Sequence, residues 1–263
     1  MDLIIPNFYF LLNMVVGTIM LIFTIVIYTG SSSSETRVYS LHALLSALWA
    51  YWMGLHFAVN PANRALLEYS FHYSSWEGLL IFASFFYFTY IYESTTATPE
   101  RRRLVRIALY VFLAGTAVIF LAPGKLLIEG ITNGATPLYD RDPIFGPLYY
   151  PLFNVPWLAL IAGGHVLLAA RIRRTADPAI RRRLIYVFIS SFLLYLPTGL
   201  FAVIFPAAQN FDYAPYAPVA SLIWVVFTSY AIFRHKILHI KILVPVVLVL
   251  AMASILFLNI FVA

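Results

Sequence analysis

Eight runs of about twenty predominantly apolar residues divide this chain, and about twenty is the length a helix needs to cross the hydrocarbon core of a bilayer. The runs cover approximately 7–29, 40–59, 68–93, 104–122, 149–171, 183–205, 216–234 and 242–262. Backbone polar groups cannot stay unpaired in lipid, so segments like these cross it as helices. Only 11% of the 263 residues are charged, whereas a soluble domain carries about 25%. No polar stretch approaches the roughly 100 residues of a soluble module. The expected fold is therefore all-α: a polytopic transmembrane helical bundle of about eight spans, forming one membrane domain.

The basic residues set the orientation. Arg37, then Arg101, Arg102, Arg103 and Arg106, then Arg171, Arg173, Arg174, Arg181, Arg182 and Arg183, then Arg234, Lys236 and Lys241 fall in the odd-numbered connections. They make up 14 of the 17 Lys and Arg. The positive-inside rule makes those connections cytoplasmic, which places the N-terminus outside and ends the eighth run outside. A basic excess used this way implies no nucleic-acid partner. Met1-Asp2 lacks the positive n-region of a cleavable signal peptide.

Two connections carry good helix starts. Thr98-Pro99-Glu100 supplies a cap, a proline at the first helical position and an acid in the first turn, and Asp177-Pro178 repeats the device. The stretches Thr98–Phe112 and Asp177–Phe188 both run proline, triple arginine, leucine and then apolar residues. Duplication or the orientation rule accounts for that likeness. With no cysteine there is no disulfide, thiolate metal site or cysteine nucleophile. No Ser–His–Asp ordering, phosphate loop or His-Glu-x-x-His motif is present, so no enzymatic activity is expected.

Several local motifs group together. They are Thr36-Arg37-Val38-Tyr39 followed by Leu48-Trp49-Ala50, then Trp76 with Phe85-Phe86-Tyr87-Phe88, then Ile144-Phe145-Gly146-Pro147-Leu148-Tyr149. Arg181-Arg182-Arg183-Leu184-Ile185-Tyr186 and the exit Tyr230-Ala231-Ile232-Phe233-Arg234-His235-Lys236-Ile237-Leu238-His239-Ile240-Lys241 complete the set. In these features residues 8–241 resemble the N-terminal seven-transmembrane sensor region of bacterial histidine kinases. The resemblance implies a sensor-like bundle over 1–241 in a bacterial inner (plasma) membrane, with 242–263 as an additional eighth helix. It also implies a homodimer or other membrane subunits as partners, and a cytoplasmic output domain or partner reached through Arg234, His235, Lys236 and His239. The His-Glu-Leu-Arg-Thr-Pro-like box and glycine-rich ATP lid that follow in that family do not occur in this sequence. The chain then reads as a sensor half, or as a free-standing relative working through other subunits.

Glu77 is the most informative single residue. A carboxylate inside the bilayer costs roughly 2.5–3.5 kcal/mol, so it normally faces the bundle. Helical spacing puts Ser70, Tyr73, Ser74 and Ser84 on its side. The expected ligand-binding residues are Glu77, Tyr73, Trp76, Ser74 and His72; the long outer loop Pro123–Tyr150 with its Asp140-Arg141-Asp142 reads either as a lid over them or as an ordered spacer with the acid–arginine pair ion-bonded at the surface. A structural hydrogen bond, or a carboxyl simply kept protonated, is the competing account of Glu77.

No cofactor is expected. The alternative is a pair of bis-histidine haems, held by His56 with His72 near the outer surface and His42 with His165 near the inner one. Arg101, Arg102, Arg103, Arg181, Arg182 and Arg183 are placed to meet lipid headgroups. Asn13, Gly17 and Thr18, and Gly163-Gly164, read as small-residue packing faces. Pro197 and Pro218 can kink their helices. The leading functional expectation is a non-catalytic sensor that binds a small or lipophilic ligand and relays through the seventh helix. An accessory subunit of a larger membrane complex is the main alternative, and a transporter or haem redox protein is the third.

Overall fold

The computed structural model describes residues 7–30, 33–60, 62–94, 98–121, 125–131, 142–208 and 210–234, with 229–234 as backbone only. The eighth expected span, with His235, Lys236, His239 and Lys241 before it, lies outside the described residues, as do Asp140 and Arg141 of the outer loop.

Seven long helices carry the fold: α1 (Phe8–Gly30), α2 (Ser34–Ala58), α3 (Arg64–Ile91), α4 (Pro99–Leu121), α5 (Val155–Arg174), α6 (Pro178–Gly199) and α7 (Ala217–Arg234). Their starts are capped as the sequence directs. Ser33 accepts the Thr36 amide at 3.2 Å, Asn63 that of Leu66 at 3.2 Å and Asp177 that of Ala179 at 2.7 Å. Among the described residues, four helical segments are long and apolar enough to cross a membrane: α1, α4, Tyr150–Arg174 and Pro178–Ala207. This is the make-up of a membrane protein. Helices α2 and α3 are longer than α1 and α4, at 25 and 28 residues, but bring histidines, serines and Glu77.

Packing explains that difference. Helix α3 contacts α2, α4 and α5, α5 contacts α6, α6 contacts α7, and α7 returns to α2 and α1. Helices α2, α3, α5, α6 and α7 thus close a ring, with α1 over the α2–α7 seam and α4 outside on α3. Small residues set the closest approaches. A Cβ on Gly164 would stand 2.6 Å from the Phe85 ring, and one on Gly54 would meet Met14 and the Phe10 carbonyl. Arg171 reaches from α5 to donate to the carbonyls of Thr89, Tyr90 and Tyr92, closing the C-terminal end of α3.

Two features depart from a plain α bundle. The connection before α5 contains a short antiparallel hairpin, β1 (Ile128–Ile131) with β2 (Pro143–Phe145). Pairing satisfies the backbone groups of these two short segments. Gly146 then turns against it, and a Cβ there would fall 2.5 Å from the Lys125 and Leu126 carbonyl oxygens. Secondly, π turns at Tyr150–Asn154 and Leu200–Ile204 enter α5 and extend α6. Pro197 lies inside α6 just before the second π turn. Pro218 does not kink a helix, because it sits in the first turn of α7, where its missing N–H has no intrahelical partner to lose.

Candidate functional site

The ring encloses a cavity of about 920 Å³, counting the open space at its mouth. It runs from Phe71 to Phe82 along α3, about 16 Å at 1.5 Å per residue. Trp49, Met53, His56 and Phe57 of α2 form one wall; Leu194, Tyr195 and Thr198 of α6, with Ser221 of α7, form the opposite one. Both π turns contribute, through Phe153 and through Ala202 and Val203. A π turn carries one extra residue per turn and so redirects side chains, which is why such turns recur at functional sites. Asp142, Phe145, Tyr149 and Phe211 close the loop end.

The polar groups in this wall are unevenly satisfied. His56 is bonded through Nδ1 to the Ser70 hydroxyl at 2.5 Å, across the α2–α3 seam. The Tyr195 hydroxyl and the Thr198 hydroxyl, one turn apart on α6, are buried and have no hydrogen-bond partner among the described residues. An unpaired buried hydroxyl costs about 1–3 kcal/mol, and surrounding lipid offers no substitute partner. Both residues line the cavity, so their unpaired hydroxyls are hydrogen-bonding capacity at its wall. At the loop end, burial first and the nearby Asp212 carboxylate second push the Asp142 carboxyl up to about 6.

Of the five residues expected to bind ligand, Ser74 lines the cavity. Glu77, Tyr73, Trp76 and His72 lie on other faces of α3. His72 and Trp76 turn to α4, bonding the Phe120 carbonyl at 2.9 Å and the Leu113 carbonyl at 3.3 Å. Tyr73 packs on Trp52, with ring centroids 4.4 Å apart. Glu77 is 2% exposed and its Oε2 has no partner. It belongs to a heptad row, Ser70, Glu77 and Ser84, that faces α2. The serines at the two ends of that row bond His56 and His42, the latter at 2.8 Å. The carboxyl therefore sits midway between two histidine–serine pairs.

The four histidines considered for haem each use Nδ1 on a serine or a helix carbonyl. His165 additionally receives the Ser191 hydroxyl at Nε2, 3.1 Å away. Among the arginines expected at lipid headgroups, Arg101, Arg103, Arg181 and Arg182 are exposed. Arg102 is half-buried, and Arg183 pairs with Glu93 at 2.7 Å. Arg234 ends α7.

Sequence reading did not single out His56 as a cavity residue, nor Tyr195, Thr198 and Ser221. The signal for the α6 pair is the polar row Ser191, Tyr195 and Thr198 at helical spacing within an apolar run. Helix α7 is held at successive levels. Asn13 donates to the Pro215 carbonyl at 3.2 Å just before it, Tyr39 donates to the Val225 carbonyl at 3.0 Å, and Ser190 bonds Thr228 at 2.8 Å. The His42 ring stands edge-on to Trp224, 4.3 Å away. No family model, curated protein or solved structure matches this chain.

Proposed function

We propose that this chain is a non-catalytic, multi-pass membrane sensor whose ligand occupies the ring cavity and whose response leaves through α7. The observation that carries the reading is the wall of the cavity. It is built from four helices and two π turns, it holds two unpartnered hydroxyls, and one of its faces belongs to α7 itself through Ser221. A ligand with different affinity for two arrangements of α6 and α7 shifts the population between them. The hydrogen bonds at Pro215, Val225 and Thr228 supply discrete contacts for α7 to keep or exchange. In this reading the protein crosses a bacterial plasma membrane about eight times with its N-terminus outside. The cavity mouth then faces outward, and Arg234 and the basic residues after it meet a cytoplasmic output domain or partner.

The absence of cysteine allows a direct test. Spin labels at Tyr186→Cys on α6 and Phe227→Cys on α7, both exposed, report the distance between these helices. Filling the cavity by Ala202→Phe, or separately by Ser221→Phe, is expected to shift the distance distribution by more than about 1 Å, the scale of helix shifts in switching proteins. An unchanged distribution in both folded variants overturns the sensor reading. Reporter fusions at Thr175 and Asn133 are expected to give cytoplasmic and external signals respectively, and reversal at both sites overturns the orientation.

A further inference from the structure

Resting on the cavity as a ligand site, we propose that the occupant is a small organic ammonium ion with an aromatic or alkyl body, its charge held at Asp142 and its body among the cavity's aromatic rings. Three observations carry this. First, charge: Asp142 is the only charged side chain among the described residues that line the cavity. The one ion pair among the described residues, Arg183 with Glu93, is elsewhere. Asp212 adds a second carboxylate within electrostatic reach of Asp142. A half-buried acid within reach of another acid is an arrangement that a bound cation relieves.

Second, the rings around that acid suit a cation. Phe145 stacks on Tyr149 with centroids 4.0 Å apart and meets Phe211 at 5.9 Å. All three line the same end as Asp142. An ammonium over aromatic faces gains about 0.5–2 kcal/mol, most where water is excluded. The remaining wall, with Trp49, Phe57, Phe71, Phe82 and Phe153, accepts an apolar body and repels a free inorganic ion. Third, the Tyr195 and Thr198 hydroxyls are buried to 4% exposure each, line the cavity and lack partners. They offer a hydrogen-bond position distinct from the acid, which selects a ligand polar at both ends over a simple alkylammonium.

The test uses the full chain in detergent and three probes of one shape: phenethylamine, 2-phenylethanol and 3-phenylpropionate. Thermal unfolding is followed against concentration. Phenethylamine is expected to raise the midpoint, 2-phenylethanol to need about tenfold more for the same shift, and 3-phenylpropionate to give none. Asp142→Asn is expected to erase the advantage of the amine while leaving the alcohol's shift in place. Equal potency of amine and alcohol, or an amine advantage that survives Asp142→Asn, overturns the ammonium assignment and leaves the cavity standing as a site. No shift from any probe also overturns it, and the spin-label distances in the cavity-filled variants then decide separately whether the sensor reading stands.

Discussion

Helices α3 and α4 are neighbours in sequence and in space, yet they invert the rule that governs soluble proteins. Fifteen of the 28 residues of α3 are buried, and they include Ser70, Ser74, Ser75, Glu77 and Ser84. Only Thr116 and Phe120 are buried in the 23 residues of α4, whose exposed side chains include Leu104, Val111 and Val118. Of the two, only α4 contains a stretch apolar enough to cross a membrane, and it is the more exposed helix. In lipid, apolar burial no longer drives helices together, and close packing with interhelical hydrogen bonds takes over. A helix at the centre can therefore carry polar groups because neighbours pair with them, while a helix on the rim cannot.

The largest expected break in this comparison comes from glycines. Gly164→Leu drives a side chain into Phe85 and Thr89 of α3, where a Cβ already meets atoms at 2.6 and 3.0 Å. Overpacking of this kind costs about 1–3 kcal/mol or more. Loss of the folded, monodisperse fraction in detergent is the expected result. Gly115→Leu on α4 has nothing within 4 Å and is expected to leave that fraction unchanged. Similar losses from both would show that α4 is covered by something other than lipid.

Hydrogen bonds give the intermediate effect. Ser84→Ala removes one of the two partners of His42 Nδ1, leaving the Ile81 carbonyl at 3.1 Å, and is expected to cost about 0.6–1.7 kcal/mol, the scale of such bonds between membrane helices. Val118→Ala, at a residue 72% exposed on α4, is expected to stay within about 0.5 kcal/mol. Steric-trap or denaturant unfolding measures both, and equal costs would remove the distinction between a polar inner helix and an apolar rim.

The smallest effect on stability is expected from Glu77→Gln. Glutamine keeps the shape and the hydrogen-bonding capacity of the side chain and removes its titratable proton. Stability within about 1 kcal/mol of the wild type is expected, together with an altered α6–α7 distance response when the cavity is filled. The location of Glu77, between the His56–Ser70 and His42–Ser84 pairs that join α2 to α3, is the reason to expect coupling there. Unchanged stability and unchanged response together would leave Glu77 as a packing group.

The sequence by itself determined the helical segments among the described residues, their approximate ends and their caps at Thr98 and Asp177, but not the cap at Ser33. Run length, proline position and capping side chains are local properties that act before any tertiary contact. It also marked Glu77 as an inward-facing group, because a carboxylate in an apolar run has few places to go. Tertiary structure alone decided which side chains share a space. Ser74 and Tyr73 are adjacent in the chain, but a 100° step along α3 sends one to the cavity and the other to Trp52. Tyr195, Thr198 and Ser221 became cavity residues only when α6 and α7 closed the ring, and Asp142 only when the hairpin folded over it. Periodicity fixes the faces of one helix. Which neighbour each face meets depends on close approaches such as Gly164 to Phe85 and on bonds such as Tyr39 to Val225, which span distances no local pattern encodes.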